Sequence, residues 1–211
     1  LGVPLAIPGQ LGLHDSTLDS AYFSVFGQVS WPLGERLDVT GAVRWQSESK
    51  RAAINNSVTV PGASVVSVVL APSARPDGAP VNGSVNRSTD YLTWSLTPRY
   101  RFSDELMIYL TAARSGKSGG FNTGFGNAPL SAREFDDEVI DHLEAGLRTN
   151  LPETRIQLSA AAFQTRYHDY QDAAFVSAQF SVGNAGLVDL TGAEFEGTAE
   201  FGSGTTVKLA A

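Results

Sequence analysis

The chain has 211 residues, a formal net charge of −7 and no cysteine. The negative charge argues against a nucleic-acid partner, since such proteins normally carry a basic patch, and the missing cysteines exclude disulfides and thiolate metal sites. No run of about 18 apolar residues occurs, so the sequence predicts no transmembrane helix. A content of only 18% charged residues with 21 glycines suits an all-β protein.

The predicted elements begin with a glycine- and proline-rich stretch over residues 1–19, which has no period and is predicted to be a loop. Strands follow, each recognised by apolar residues that recur with a period of two. The alternation is clearest from Leu92 to Phe102 and resumes from Leu106 to Ala112, so this hairpin has one apolar and one polar face. The strands are predicted at about 20–31, 36–49, 89–102, 106–115, 138–150, 155–167, 186–201 and 205–211.

The connections alternate strictly between short turns and long loops. The long loops are predicted at 50–88, 116–136 and 168–185, and the apolar run 58–70 in the first of them is expected to form a small hairpin of its own. Transmembrane β-barrels have short turns at one end and long loops at the other, and their tilted strands need about 9–11 residues to cross a bilayer. The sequence therefore predicts an antiparallel segment of such a barrel, with its apolar face toward outer-membrane lipid.

Charged residues recur on the polar face of these strands. In a soluble core they would need charged partners, whereas a water-filled lumen would solvate them. The residues predicted to face the lumen are Arg44, Glu48, Arg99, Arg101, Glu144, Arg148, Glu194 and Glu196.

Several segments resemble the β-barrel domain of TonB-dependent outer-membrane receptors, in particular the siderophore-receptor-like branch. These segments include YFSVFGQVSWPLGERLDVTGAVRW (22–45), SLTPRYRFSDELMIYLTAARSGKSGGFN (95–122) and VGNAGLVDLTGAEFEG (182–197). They occur in the order that the family shows, and together with 142–151 and 155–172 they cover most of the chain outside its loops.

The resemblance implies a barrel of about 22 strands with a plugged lumen, so that the predicted strands would form roughly a third of it. It also implies a Gram-negative outer-membrane location and import of a scarce ligand such as a ferric siderophore. In the family a TonB complex supplies the energy by pulling on an N-terminal plug domain. The 211 residues contain neither plug nor TonB box and open on Leu1, so we expect a fragment of the barrel domain.

The segment where the fourth strand leaves for its loop is rich in glycine. Its Gly-Lys-Ser triplet lacks the spacing of a phosphate-binding loop, and we expect the glycines to let the strand twist and bend into the loop. The resemblance marks this stretch as a recurrent strand-to-loop motif, here formed by Arg114, Gly116, Lys117, Gly119, Gly120, Phe121 and Asn122.

No residues have the spacing of a catalytic or metal site. The acidic clusters 136–138 and 168–172 lack calcium-loop spacing and are interpreted as solvated loop charge, and the three histidines lie far apart in sequence. We therefore expect no enzymatic activity, no cofactor and no metal.

Two roles remain open for the charged residues of the polar face. They could contact the plug or line the route of an anionic ligand, and plug contact is favoured because charged lumen residues are the norm in such barrels. Ligand contacts are expected mainly in the three long loops. Two other functions also remain open for the chain: a complete small eight-stranded barrel acting as an adhesin or structural protein, and a secreted glycan-binding β-domain.

Overall fold

The computed structural model describes residues 11–59, 82–124, 128–176, 179–202 and 204–211. Eight strands form one antiparallel sheet, and they lie side by side in the order in which they occur along the chain. These strands are β1 Leu11–Pro32, β2 Leu37–Thr59, β3 Gly83–Arg101, β4 Leu106–Lys117, β7 Glu138–Leu151, β8 Ile156–His168, β11 Val188–Phe201 and β12 Thr205–Ala210. The predicted all-β antiparallel architecture is thus confirmed.

Two small two-stranded sheets lie in the long connections. One pairs β5 (Gly120–Phe121) with β6 (Glu134–Phe135), and the other pairs β9 (Gln171–Val176) with β10 (Gln179–Asn184). A short 3-10 turn at Leu130–Ala132 precedes β6. Among the described residues, no helix has the length and apolar character needed to cross a membrane.

The connections give the large sheet two different ends. Tight turns join β1 to β2, β3 to β4, β7 to β8 and β11 to β12 at what we call the short-turn end. One of these turns is closed by the Ser103 hydroxyl, which accepts hydrogen bonds from the backbone N–H groups of Glu105 and Leu106. All other connections lie at the opposite end, the long-loop end.

Three of the strands extend farther toward the long-loop end than the alternation predicts. β1 begins at Leu11 within the stretch predicted to be a loop, β2 continues to Thr59, and β3 begins at Gly83. Both faces of these extensions carry polar residues, so the sequence has no polarity contrast there although the ladder of backbone pairs continues. The hairpin expected at 58–70 falls almost wholly on residues 60–81, outside the described residues.

The two faces of the sheet differ in polarity from β1 to β11. On the apolar face, cross-strand partners such as Val25, Trp45 and Leu92 form continuous rows, and large side chains are exposed along them, with Leu143 50% and Trp31 65% accessible. The opposite, polar face carries hydroxyls and charges. A soluble sheet would cover its apolar face with a second layer, and no such layer covers it within the described residues.

The best-buried side chains lie at the long-loop end, on the polar-face side. Ala52 and Ile54 of β2 are fully buried, and Phe121 of β5 is 6% exposed. Leu130 of the 3-10 turn lies against Gly83 of β3, so the connection between β4 and β7 folds back over the extended strands. The buried apolar side chains of the described chain therefore lie where this folded connection meets the extended strands.

Candidate functional site

The eight residues predicted to face the lumen all lie on the polar face. Their cross-strand partners are other polar-face residues, for example Thr93 opposite Arg44, Asp38 opposite Arg99 and Ala161 opposite Glu194. They are spread over four strands and do not form one cluster. That this face lines a lumen stays a prediction.

One row of the polar face brings three of these residues together near the short-turn end. Arg101 is opposite Met107, which is opposite Arg148, and the row continues through Ser159 to Glu196. A depression of about 660 Å³ lies over this row. The row itself offers two guanidinium groups, of Arg101 and Arg148, and the carboxylate of Glu196 to the space above the polar face.

Other members of the set are held by neighbouring side chains. Arg99 donates to Asp38 through Nε at 2.7 Å and to Thr40 through Nη2 at 3.2 Å. The Tyr109 hydroxyl donates to Glu144 at 2.7 Å, and the guanidinium of Arg148 lies 5.6 Å from the centre of the Tyr109 ring. These contacts hold the charged groups in place on the polar face.

The strand-to-loop motif packs tightly against the far end of the connection between β4 and β7. A Cβ atom on Gly119 would lie 2.2 Å from the carbonyl oxygen of Phe135, and one on Gly120 would lie 2.9 Å from the Phe135 ring. Glycine is needed at these positions for close approach of two backbones. The structure thus gives Gly119 and Gly120 a packing role, and the expected role of the glycines in bending the strand stays a prediction.

Polar contacts hold this motif in place. Lys50 of β2 donates through Nζ to the carbonyl oxygen of Gly119 at 2.7 Å and to the hydroxyl of Ser118 at 2.5 Å. On the other side the backbone N–H of Gly119 donates to Asp137 at 2.6 Å. The glycine-rich exit is thus fixed from both sides.

Asn122 ties this connection to the next one. Its Nδ2 donates to the carbonyl oxygen of Val182 and its Oδ1 accepts from the backbone N–H of Val182, both at 2.8 Å. The side chain thereby takes the place of a strand partner for β10. The hairpin β9–β10 is anchored to the β4–β7 connection through this pair.

Arg87 of β3 gathers the acidic residues at the end of the connection. Its guanidinium lies 2.5 Å from Glu134, 3.0 Å from Asp137 and 3.6 Å from Asp136. Only 14% of the Arg87 side chain is exposed, so its charge is compensated mainly by these carboxylates. The ion pairs join the extended part of β3 to β6.

Two buried polar residues complete the arrangement. Arg133, 2% exposed, donates to the carbonyl oxygens of Asn122, Gly124 and Ala128, and burial lowers the pKa of its guanidinium. Glu138, 4% exposed, accepts a hydrogen bond at 2.7 Å from the backbone N–H of Gln171. We call this set the loop base: Lys50, Arg87, Gly119, Asn122, Arg133, Asp137, Glu138 and Gln171.

The loop base shows that one prediction was wrong. Most of its residues could not be found from periodicity. Asp137 and Glu138 are engaged in hydrogen bonds or ion pairs, so their interpretation as solvated loop charge is wrong. Gln171 and Arg133 lie in segments without periodic apolar residues. The available sequence signal was that Arg133 is a basic residue inside the glycine-rich loop 116–136. Within the described ranges, no group of three or more His, Asp or Glu residues could hold a metal ion.

The loop base is suited to positioning the loops that it supports. Hydrogen bonds and ion pairs connect β2, β3 and both folded connections over a short distance, and satisfied polar networks of this kind rigidify a structure. The paired Phe175 and Phe180 of the β9–β10 hairpin, both exposed, are thereby held on a fixed platform.

Comparison with known proteins points to one family. A profile described as TonB dependent receptor-like, beta-barrel matches residues 5–210. The pesticin receptor of Yersinia enterocolitica is 24% identical over 181 residues, which are 86% of this chain and 24% of that receptor. The chain thus spans about a quarter of the length of the curated relatives that it matches.

Solved structures share the fold. The ferric yersiniabactin uptake receptor FyuA from Yersinia pestis superposes with a TM-score of 0.74 at 21% identity, over 93% of this chain and 27% of that one. The closed form of the ferric-catecholate import receptor Fiu from E. coli K12 gives 0.61 at 17% identity, over 92% and 28%. Because the family profile covers nearly the whole chain, the chain belongs to the TonB-dependent receptor-like β-barrel family.

Proposed function

We propose that this chain is part of the wall of an outer-membrane transporter that imports a scarce ligand, a ferric siderophore, with energy supplied through TonB. The family is one of receptors, and the chain is not an enzyme. FyuA is described as a ferric yersiniabactin uptake receptor and Fiu as a ferric-catecholate import receptor, which supports a ferric siderophore as the ligand class.

One observation carries the proposal: an eight-stranded sheet whose exposed face is apolar and whose other face is charged. Exposed apolar area of this extent costs free energy in water, at about 25 cal/mol per Å². The cost disappears if the apolar face meets lipid. In this arrangement the polar face surrounds a lumen and the long-loop end faces the cell exterior.

Distinct parts of the chain take distinct roles in this proposal. The charged residues of the polar face contact a plug domain held in the lumen, and the row from Arg101 to Glu196 is available for such contacts near the short-turn end. The loop base holds the long loops in position, and the ligand is bound by those loops and the plug. The barrel wall itself carries out no bond chemistry.

The proposal is tested by uptake in iron-limited Gram-negative cells. Cells producing the protein that contains this chain are expected to accumulate a radiolabelled ferric siderophore from a test panel, and cells lacking TonB are expected to lose that accumulation. A variant with Arg87→Met and Asn122→Ala should reduce uptake, while Arg36→Met, an exposed position at the short-turn end, should not. Uptake that is equal with and without TonB would contradict the energised mechanism.

A further inference from the structure

Two asparagines join the β4–β7 connection and the β8–β11 connection in a reciprocal way. Asn122 of the first connection binds the backbone of Val182 in the second, through its side-chain nitrogen and oxygen at 2.8 Å each. Asn184 of the second connection binds the backbone of Asp136 in the first, with Oδ1 accepting at 2.7 Å and Nδ2 donating at 3.0 Å. Each connection thus supplies one carboxamide to the backbone of the other.

Gln171 makes a third link at the base of the β9–β10 hairpin. Its Nε2 donates to the carbonyl oxygens of Asp136 at 2.9 Å and Ser118 at 3.2 Å, and its backbone N–H donates to the Glu138 carboxylate at 2.7 Å. Only 8% of Gln171 is exposed. We call these three carboxamide residues the amide clasp: Asn122, Gln171 and Asn184.

Carboxamides are suited to holding two backbones together. Each one offers both N–H donors and a carbonyl acceptor, so it can pair with the N–H and the C=O of a backbone segment at once. A carboxamide carries no charge, so these hydrogen bonds do not depend on ionisation and are not screened by salt as exposed ion pairs are. The amide clasp therefore fixes the path of each connection relative to the other.

The clasp also reaches the part of the first connection that the loop base holds. Gln171 and Asn184 both bind the backbone of Asp136. The next residue, Asp137, lies 3.0 Å from the guanidinium of Arg87 and accepts from the backbone N–H of Gly119 at 2.6 Å. A continuous set of polar contacts thus runs from the hairpin to the glycine-rich exit of β4.

We propose that the amide clasp couples the two connections into one unit that opens and closes together at the long-loop end. Because Gln171 is shielded from water, the groups that it pairs lose their partners when either connection opens, and unpaired buried groups are costly. Residues linked in this way open as one cooperative unit. Independent opening of the two connections is the alternative.

The coupling has a consequence for ligand binding, and that consequence rests on the proposed function. Coupling between two sites acts equally in both directions. A ligand that touches only the β9–β10 hairpin would therefore also order the glycine-rich exit of β4. The coupling itself involves only residues of this chain and can be tested without a ligand.

The test locks the hairpin and observes the other connection. The chain has no cysteine, and Ala173 and Val182 are cross-strand partners, so Ala173→Cys with Val182→Cys places one disulfide inside the hairpin. Hydrogen exchange of the full chain in detergent is compared with the disulfide formed and after reduction by dithiothreitol. Disulfide formation should slow exchange of the Gly119 and Asn122 amides by about tenfold, although the partners of both amides lie within the first connection.

Variants of the clasp show whether the effect passes through these side chains. Asn184→Ala and Gln171→Ala should each reduce the tenfold slowing. Asn122→Ala with Asn184→Ala should abolish it, while the disulfide still slows exchange inside the hairpin. Asp172→Ala is the matched control, because Asp172 is exposed on the same strand as Gln171, and it should leave the effect unchanged.

A disulfide that slows exchange in the hairpin but not at Gly119 and Asn122 would overturn the coupling. An undiminished effect in the double variant would overturn the role of the clasp. The first comparison uses the intact clasp, so it remains decisive even if a clasp variant fails to fold. Transport is tested separately by the uptake experiment, so failure of the coupling and failure of the proposed function are distinguishable.

Discussion

The ring of Tyr109 lies across the backbone of Gly146 on the neighbouring strand. A Cβ atom on Gly146 would lie 2.5 Å from the Tyr109 hydroxyl and ring. The ring is held there by a hydrogen bond to Glu144 and by the guanidinium of Arg148. Because Gly146 has no side chain, the Tyr109 ring can lie on the sheet and contact both charged groups. Phe163 covers Gly192 in the same way.

Replacing Gly146 by alanine should therefore displace the Tyr109 ring and its contacts. Overpacking of this kind costs about 1–3 kcal/mol. The measurement is the free energy of unfolding in urea for the chain in lipid vesicles. The control is Gly27→Ala, since a Cβ atom at Gly27 meets nothing within 4 Å, and equal stability of the two variants would refute the packing role of Gly146.

Gly119→Ala should disrupt the loop base without affecting the strands. The added Cβ atom would lie 2.2 Å from the Phe135 carbonyl oxygen and 2.8 Å from the Asp136 carbonyl carbon, and backbone atoms cannot move aside as a side-chain end can. Limited proteolysis should show faster cleavage within 116–136. Gly183→Ala, whose Cβ atom meets nothing within 4 Å, should leave the cleavage rate unchanged.

Asn122→Ala should release the β9–β10 hairpin. Both hydrogen bonds to Val182 are lost, and each unsatisfied backbone partner costs about 1–3 kcal/mol where it is shielded from water. Hydrogen exchange at Val182 should accelerate strongly. Asn122→Asp keeps the acceptor but places a carboxylate beside the Val182 carbonyl, so it should give an intermediate result, and Asn150→Ala at the short-turn end serves as control.

Arg87→Met should loosen the join between β3 and β6. Removal of the guanidinium leaves the carboxylates of Glu134, Asp136 and Asp137 close together without their shared cation. Breaking a largely buried ion pair costs about 3–5 kcal/mol of stability. Because these carboxylates are partly exposed, we expect a smaller loss of about 2 kcal/mol. Exchange protection of Gly119 should fall, whereas Arg36→Met should not change it.

The sheet was predictable where its two faces differ in polarity. From Leu92 to Arg101 the alternation marks both the strand and its faces, because one side is apolar and the other is polar. From Gly83 to Thr89 both faces are polar, so only backbone pairing extends the strand. The loop base was not predictable in this way, because its contacts join residues distant in sequence, such as Asn122 and Val182, through single side chains.

The central claim is that the apolar face meets lipid while the polar face meets water. It is tested most directly on two adjacent residues of β3, Ser95 and Leu96, which lie on opposite faces. The chain has no cysteine, so Ser95→Cys and Leu96→Cys can each be labelled singly with a bimane fluorophore in lipid vesicles. We predict that brominated acyl chains quench the label at position 96 and that aqueous iodide quenches the label at position 95. The reverse pattern, or equal quenching at both positions, would contradict the account.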